Sequence, residues 1–335
     1  MQVEKDLGYM GGETINIAKM AEKLSKGIFN EFLWGRMEHT NINWSCEKQG
    51  LHQVKTHPSD VVFWYDEPYA QSRTYVNCDL KSYAQGSITA GAIREAIESL
   101  AMALSCAEVS QEFNDKFIHQ NISPNIHGML FVYNHDGEYD KDFSKILDKV
   151  KSEDLDLPRG AKIVVLGPED IFWLNNVHHE IIHLRGGAGL LPDRDNCRFF
   201  YPHLVRKKNV QPEHAKAATL EMLTAPWIIL SYINPKNNNK KGFVVFVKNR
   251  GDTVDEFLYL IEYLMHYQVI TDGTEVTIRL LDPHANSSAN FAKAKDQYIT
   301  DYQGGEEIKQ VLNGIDMGKL EHVRTSFCEL ELSRQ

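Results

Sequence analysis

Cysteine is scarce in this chain of 335 residues, and its pattern argues against two common uses of the residue. The cysteines are five in number and scattered, without any C-x-x-C pair: Cys46, Cys78, Cys106, Cys197 and Cys328. Disulfide frameworks and structural zinc sites are typically marked by paired or regular spacings. We therefore expect neither, and we expect the free thiols to belong to a protein of the reducing cytoplasm.

Nucleotide-binding loops and membrane segments are also missing. The sequence contains neither G-x-x-x-x-G-K-[ST] nor G-x-G-x-x-G, so nothing predicts a nucleotide site. The glycine-rich stretch Gly186 to Gly189 follows a predicted helix and indicates a helix stop and a loop. No apolar run approaches the length of a membrane span, and the first residues lack the basic and apolar pattern of a signal peptide. These absences predict a soluble, cytoplasmic protein.

Positive charge is in short supply, because 36 Lys and Arg residues face 46 Asp and Glu residues and the net charge is −10. Binding to nucleic acid depends on neutralising phosphates, so this balance argues against strong, sequence-indifferent DNA binding by the isolated chain. Local patches matter more than the total. Three basic clusters could contact a phosphate backbone or could be solubilising loops: Arg206 to Lys208, Lys236 to Lys241, and Lys248 with Arg250. A partner subunit could also supply a positive surface.

Two neighbouring segments predict β-strands that carry acidic residues. The run Val61 to Tyr65 is continuously apolar, as is typical of a strand buried on both faces. In the next segment apolar and polar residues alternate, so Asp79 and Lys81 share the face opposite to Cys78. An isolated acid and lysine at this spacing could be an ordinary solvated ion pair. The surrounding predicted strands favour a functional role for this pair.

The polar, proline-containing segment Asp66 to Ser72 predicts the turn of an antiparallel hairpin. Asp60, at the start of the first strand, would then lie near Asp79. Two neighbouring carboxylates in a partly buried place are unfavourable unless a cation neutralises them, and Mg²⁺ accepts carboxylate and carbonyl oxygens while keeping several waters. A metal that acidifies a water, beside a lysine that positions this water or stabilises charge on a phosphate, suits phosphodiester cleavage.

The segment P-S-D that ends at Asp60, followed by D-L-K from Asp79 to Lys81, resembles the signature of the PD-(D/E)XK nuclease superfamily, which includes restriction enzymes and bacterial anti-phage effectors. Two departures stand out: a serine separates the proline from Asp60, and the second acid is an aspartate instead of the commoner glutamate. The resemblance implies that Asp60, Asp79 and the Leu80 carbonyl bind Mg²⁺ or Mn²⁺, and that Lys81 acts on the water.

The same resemblance implies a glutamate on the helix before the first strand, and Glu31 matches that place. Its alternative role is that of a solvated residue on the helix surface. The implied activity is a metal-dependent endonuclease that hydrolyses DNA phosphodiester bonds in bacterial anti-phage defence. A homodimer or a partner subunit is expected, because a double-strand cut takes two sites. A catalytically inactive scaffold with the nuclease fold is the non-enzymatic alternative.

A competing motif, H-E-I-I-H from His179 to His183, has the spacing of a zinc peptidase site with Glu180 as the base. A catalytic zinc needs a third protein ligand, and no histidine follows shortly after Gly186. Glu213 or Glu221 could serve, but nothing in the sequence singles them out. The zinc metallopeptidase is thus kept as the alternative enzyme.

The order of predicted elements indicates an α/β protein with a restriction-endonuclease-like mixed sheet flanked by helices. We expect a nuclease domain over residues 1–190 and an α+β accessory domain over residues 191–335 that binds DNA, a trigger or a partner. The first domain is predicted to contain helix 14–37, strands 41–48, 60–65 and 73–81, helix 88–109, strand 127–134, helix 140–151, strand 160–167 and helix 169–185. The second is predicted to contain strand 197–204, helix 212–223, strands 227–233 and 242–247, helix 254–267, strand 275–281, helix 289–302 and strand 327–332.

Overall fold

The computed structural model describes residues 19–119, 122–151, 153, 155–187, 189–202, 215–235, 237–321 and 323. These residues form two compact units, one that runs to Asn175 and one from Asn176 to Val323. The division falls inside a helix, ahead of the glycine-rich segment at which the sequence predicts a domain boundary. Over the described ranges, no helix combines the length and the apolar character that crossing a membrane requires.

The first unit is built on one mixed sheet with the strand order β1-β2-β3-β4-β5. Its strands are β1 (Gly35–Ser45), β2 (Thr56–Asp66), β3 (Ser72–Tyr83), β4 (Ser123–Asn134) and β5 (Ile163–Leu166). β1, β2 and β3 pair antiparallel, whereas β3, β4 and β5 pair parallel. The predicted restriction-endonuclease-like mixed sheet is confirmed.

Helices flank this sheet. They are α1 (residues 19–31), α2 (Gln49–His52), α3 (Ala90–Ala107), α4 (Gln111–Phe117), α5 (Ser144–Leu147) and α6 (Pro168–Gly186). The side chain of Thr89 caps α3 by accepting a hydrogen bond from the Ala92 N–H at 3.2 Å. The apolar stripe of α3 packs against Leu130 and Val132 of β4. This packing holds α3 against the sheet that carries the site.

Several elements of the first unit differ from those predicted, among them β1, which spans Gly35–Ser45 instead of residues 41–48, and α2, which was not predicted. The described part of α1 ends at residue 31 instead of continuing to 37, because Leu33 adopts a positive φ of 65° and β1 begins at Gly35. The apolar pattern persists beyond the helix because Trp34 folds back and stacks on Phe29, with ring centroids 4.5 Å apart. The predicted helix 140–151 is reduced to the single turn α5, and α4 was not predicted.

The second unit carries its own mixed sheet, with the strand order β10-β9-β8-β7-β6. Its strands are β6 (Cys197–Phe199), β7 (Trp227–Asn234), β8 (Lys240–Val247), β9 (Glu275–Leu280) and β10 (Asp316–Lys319). Its helices are α7 (Leu220–Leu223), α8 (Val254–His266), α9 (Ser287–Asp301) and α10 (Glu306–Asn313). Of these, α10 and β10 were not predicted.

Both sheets follow the same plan. β6, β7 and β8 pair antiparallel, and β8, β9 and β10 pair parallel, as β1 to β5 do in the first unit. A helix, α8, links the last antiparallel strand to the first parallel one, as α3 does. Within the described part of the predicted helix 212–223, residues 215–223, only the short helix α7 forms. The first residues of helix 14–37, the start of helix 212–223, the end of strand 197–204, strand 327–332 and the basic cluster Arg206 to Lys208 lie outside the described residues.

Candidate active site

Asp60 and Asp79 lie side by side on the central pair of strands. β2 and β3 pair antiparallel with Val61 opposite Cys78. Asp60 precedes Val61 on β2 and Asp79 follows Cys78 on β3, so the two aspartates take the adjoining position on the two strands. The backbone N–H of Leu80 donates a hydrogen bond to Asp60 Oδ2 at 2.7 Å. The hairpin expected from the sequence therefore brings the two carboxylates together at one place in the sheet.

Lys81 completes this cluster. Its Nζ lies 2.8 Å from Asp79 Oδ1, and the exposed fractions of the two side chains are 33 % and 15 %. Burial acts to lower the pKa of Lys81, but the adjacent Asp79 carboxylate outweighs burial and the pKa is raised. Lys81 is therefore an ammonium at neutral pH, a fixed positive charge that donates hydrogen bonds.

The negative charge of the cluster is only partly compensated. Burial raises the pKa of Asp60 and the charge of Asp79 raises it further, whereas the hydrogen bond from Leu80 acts to lower it. Cys78 directly precedes Asp79 on β3. Burial raises the pKa of its thiol well above its usual range, and the charges of Asp60 and Asp79 raise this pKa further. A cation at the two carboxylates would relieve this unfavourable charge.

The residues present fit a divalent metal ion. Mg²⁺ is commonly held by one or two carboxylates and keeps several waters. Asp60 and Asp79 can supply these carboxylates without further protein ligands. Beside them is a small cavity of about 10 Å³, which is lined by Pro58, Asp60, Cys78 and Asp79 of the strands and by Ser99, Leu100 and Ala103 of α3. Leu80 contributes its N–H to Asp60, and its carbonyl as a metal ligand stays a prediction.

A second glutamate of α1, Glu22, acts electrostatically on Asp60. Its charge is among the causes that raise the pKa of Asp60, and its carboxylate is held by Arg36 at 2.6 Å. Glu31 lies nine residues further along α1, which is about two and a half helical turns and therefore the opposite helix face. The assignment of Glu31 to the site stays a prediction, and the charge of Glu22 makes Glu22 a second candidate on α1. The sequence alone does not single out Glu22, because the α1 charge that acts on Asp60 depends on how the helix packs.

The H-E-I-I-H motif lies on α6, but its glutamate is enclosed. Glu180 is 1 % exposed, its Oε2 accepts a hydrogen bond from the Glu321 N–H at 3.1 Å, and its Oε1 lies 3.7 Å from Arg279 Nε. Burial raises the pKa of Glu180, against the lowering by the Glu321 N–H and by Arg279. His183 Nε2 contacts Glu321 Oε2 at 2.6 Å. These contacts give the motif a structural use in the second unit.

Within the described ranges, no third potential ligand joins His179 and His183. Among the residues that the structure describes, the two histidines belong to no group of three potential metal ligands. Glu221 lies exposed on α7, and Glu213 falls outside the described residues. A zinc peptidase site would require an accessible Glu180 and a further ligand, so the arrangement gives this alternative no support.

Comparison with known proteins identifies a similarity over the part of the chain that contains β2 and β3. Residues 10–170, just under half of the chain, match the family model described as the GAPS4 protein PD-(D/E)XK nuclease domain. The matched range contains Asp60, Asp79 and Lys81 and all five strands of the first sheet. No curated protein and no solved structure matches the chain.

Proposed function

From the premise that residues 10–170 form a PD-(D/E)XK nuclease domain of a bacterial anti-phage defence family, we propose that this protein is a Mg²⁺-dependent endonuclease that hydrolyses DNA phosphodiester bonds as a defence effector. The observation that carries the proposal is the convergence of three side chains. Asp60 is held by the Leu80 N–H at 2.7 Å, and Asp79 is paired with Lys81 at 2.8 Å.

Each residue has a definite task in this proposal. Asp60 and Asp79 would hold the divalent cation, with the Leu80 carbonyl and a glutamate of α1, Glu31 or Glu22, as further contributors. A bound Mg²⁺ polarises the phosphate and lowers the pKa of a coordinated water. Lys81, kept as an ammonium by Asp79, donates hydrogen bonds that hold the attacking water or stabilise negative charge as it develops on the phosphate.

DNA binding must overcome the acidic character of the chain. The net charge is −10, so the affinity of the isolated chain for DNA should be modest and should fall steeply with added salt. A second copy or a partner subunit is therefore part of the proposal, both to supply positive surface and to place a second catalytic site opposite the first.

The test is cleavage of supercoiled plasmid with Mg²⁺ or Mn²⁺, with a single-stranded RNA of matched length as the competing substrate. We expect wild-type protein to nick or linearise the plasmid and EDTA to abolish cleavage. Asp79→Asn and Lys81→Ala should each lower the rate by roughly 10²–10³-fold, because Asp79 would hold the cation and Lys81 would stabilise charge at the phosphate.

An exposed ion pair elsewhere in the first unit supplies matched controls. Asp142 and Lys145 lie 3.7 Å apart on the surface, so Asp142→Asn and Lys145→Ala make the same chemical changes away from the site and should cleave like wild type. His183→Ala should also retain full cleavage. Undiminished cleavage by Asp79→Asn would refute the site, and cleavage of the RNA alone would refute DNA as the substrate.

A further inference from the structure

Four potential metal ligands come together in the first unit, apart from the acidic cluster. Cys46 directly follows β1, His52 ends α2, His57 lies in β2, and Cys106 lies in α3. All four residues are buried, and their candidate ligand atoms lie within 4.8 Å of one another. Two cysteines and two histidines are the ligand set of many structural zinc sites.

The distances within this Cys/His cluster suit a tetrahedral metal. The two sulfurs are 3.7 Å apart, and His52 Nδ1 lies 3.5 Å from Cys46 Sγ and 3.4 Å from Cys106 Sγ. Zinc bonds of about 2.3 Å to sulfur and about 2.0–2.1 Å to nitrogen place tetrahedral ligands about 3.8 Å apart for two sulfurs and about 3.6 Å apart for sulfur and nitrogen. A disulfide would require the sulfurs to lie about 2.0 Å apart.

Outside the cluster, a carboxylate orients His52. The Nε2 of His52 lies 2.8 Å from Asp156 Oδ2, and the Ser105 hydroxyl donates to the same oxygen at 2.7 Å. Lys48 Nζ lies 3.8 Å from it. With its Nε2–H donated to Asp156, the ring turns the lone pair of Nδ1 toward the two sulfurs. Metal-binding histidines in proteins are held by this carboxylate–histidine arrangement.

His57 adds an independent sign that a ligand belongs here. Its side chain is 1 % exposed, and its Nε2 finds no hydrogen-bond partner among the described residues. A buried polar nitrogen without a partner is unfavourable and uncommon in folded proteins. A metal bound at the cluster would place His57 in a set of four protein ligands.

We propose that Cys46, His52, His57 and Cys106 bind one structural Zn²⁺. Sulfur and imidazole ligands in a tetrahedral arrangement favour Zn²⁺, and four protein ligands in a buried place leave no position open for substrate. The ion would tie the end of β1, α2, β2 and α3 together. His57 lies three residues before Asp60 on β2, so the zinc would also fix the start of the strand that carries the acidic cluster.

The first experiment measures zinc in the full chain, purified under reducing conditions without added chelator. Wild type should contain close to one equivalent by plasma mass spectrometry, and Cys106→Ser should lose most of it. Cys197→Ser is the matched control, because Cys197 is also a buried free thiol but lies in the second unit, and it should retain the zinc. Asp79→Asn and His183→Ala should retain it too, which separates this site from the acidic cluster and from the histidines of α6.

A second measurement, on the wild-type protein, does not depend on how the cysteine variants fold. Wild-type protein stripped of zinc and titrated with Co²⁺ should give the visible bands of tetrahedral cobalt and a thiolate charge-transfer band. Asp156→Asn, which keeps all four ligands, should weaken Zn²⁺ binding by roughly 10- to 100-fold. Removing the zinc should lower the melting temperature of wild type.

Three results would overturn the assignment. The first is zinc-free wild type that gives no tetrahedral cobalt spectrum. The second is a full equivalent of zinc in folded Cys106→Ser. The third is a Cys46–Cys106 disulfide in protein purified without reductant, because oxidised sulfurs cannot serve as thiolate ligands.

Discussion

At the scale of single residues, Asp60 shows how the site opposes the stability of the fold. Its pKa is raised above the usual 3.8, first by burial and then by the Asp79 charge. A carboxyl group with a higher pKa in the folded chain favours folding at pH values below 3.8, and this contribution is lost as the pH rises through the folded pKa. Ionised Asp60 therefore destabilises the metal-free protein at neutral pH.

We expect Asp60→Asn to abolish cleavage and to stabilise the metal-free protein by roughly 1 kcal/mol at neutral pH. The amide oxygen can still accept the Leu80 N–H, so the change removes charge with little loss of hydrogen bonding. The advantage over wild type should shrink as the pH falls through the raised pKa of Asp60 and the carboxyl group becomes protonated. Urea denaturation of both proteins across this pH range measures the difference.

Asp142→Asn provides a control, because the ionised carboxylate of Asp142 has the opposite effect on stability from that of Asp60. The hydrogen bond from the Ser144 hydroxyl, with smaller contributions, lowers the pKa of Asp142, so its ionised form favours the fold at neutral pH. Removing that charge should leave the protein no more stable than wild type at neutral pH. Equal unfolding free energies for wild type and Asp60→Asn at every pH would contradict the burial of an uncompensated charge at Asp60.

At the scale of elements, the two glutamates of α1 lie on opposite faces of the helix, nine residues apart. The charge of Glu22 raises the pKa of Asp60. The resemblance of sequence motifs points to Glu31, and this assignment stays a prediction, because the helix face that docks on a sheet depends on packing.

We expect Glu22→Gln to lower the rate of plasmid cleavage by roughly 10- to 100-fold, as is usual for residues that support metal ligands. Glu31→Gln makes the same change on the same helix and should cleave within a few-fold of wild type. Single-turnover cleavage rates at several Mg²⁺ concentrations measure both. The reverse order of activities would restore Glu31 as the helix residue of the site.

At the scale of the whole molecule, the two sheets share the same arrangement of antiparallel and parallel strands, but they differ in the acidic residues that their strands carry. In the second unit Trp227 pairs with Val247 as Val61 pairs with Cys78 in the first. The corresponding antiparallel strands of the second unit, β7 and β8, carry no acidic residue. The acidic cluster of β2 and β3 therefore has no counterpart on these two strands, and we expect one catalytic set in each chain.

One set of catalytic residues in each chain predicts that double-strand cleavage needs two chains or a partner subunit. Nicked plasmid should accumulate before linear plasmid, and linearisation should depend more steeply on protein concentration than nicking does. Adding an excess of Asp79→Asn protein to wild type should raise the ratio of nicked to linear product. Linearisation in proportion to wild-type concentration, unaffected by the added variant, would show that one chain suffices.

The sequence by itself determined the α/β class, the hairpin of β2 and β3, and the convergence of Asp60, Asp79 and Lys81. These features are encoded locally, because strand alternation and one short turn fix which side chains share a face. The same local patterns located α3 and most strands of both sheets, although they extended the α1 helix into the segment that forms β1.

Only the tertiary structure decided the features that depend on long-range packing. It brought the charge of Glu22 to bear on the pKa of Asp60, enclosed Glu180 beside Arg279, and gave the second unit the same strand plan without a recognisable sequence repeat. It also assembled the Cys/His cluster, whose cysteines are 60 residues apart, although their spacing predicted no structural zinc. Spacing along a chain reports neighbours within one element, whereas a buried cluster drawn from four elements exists only once they pack together.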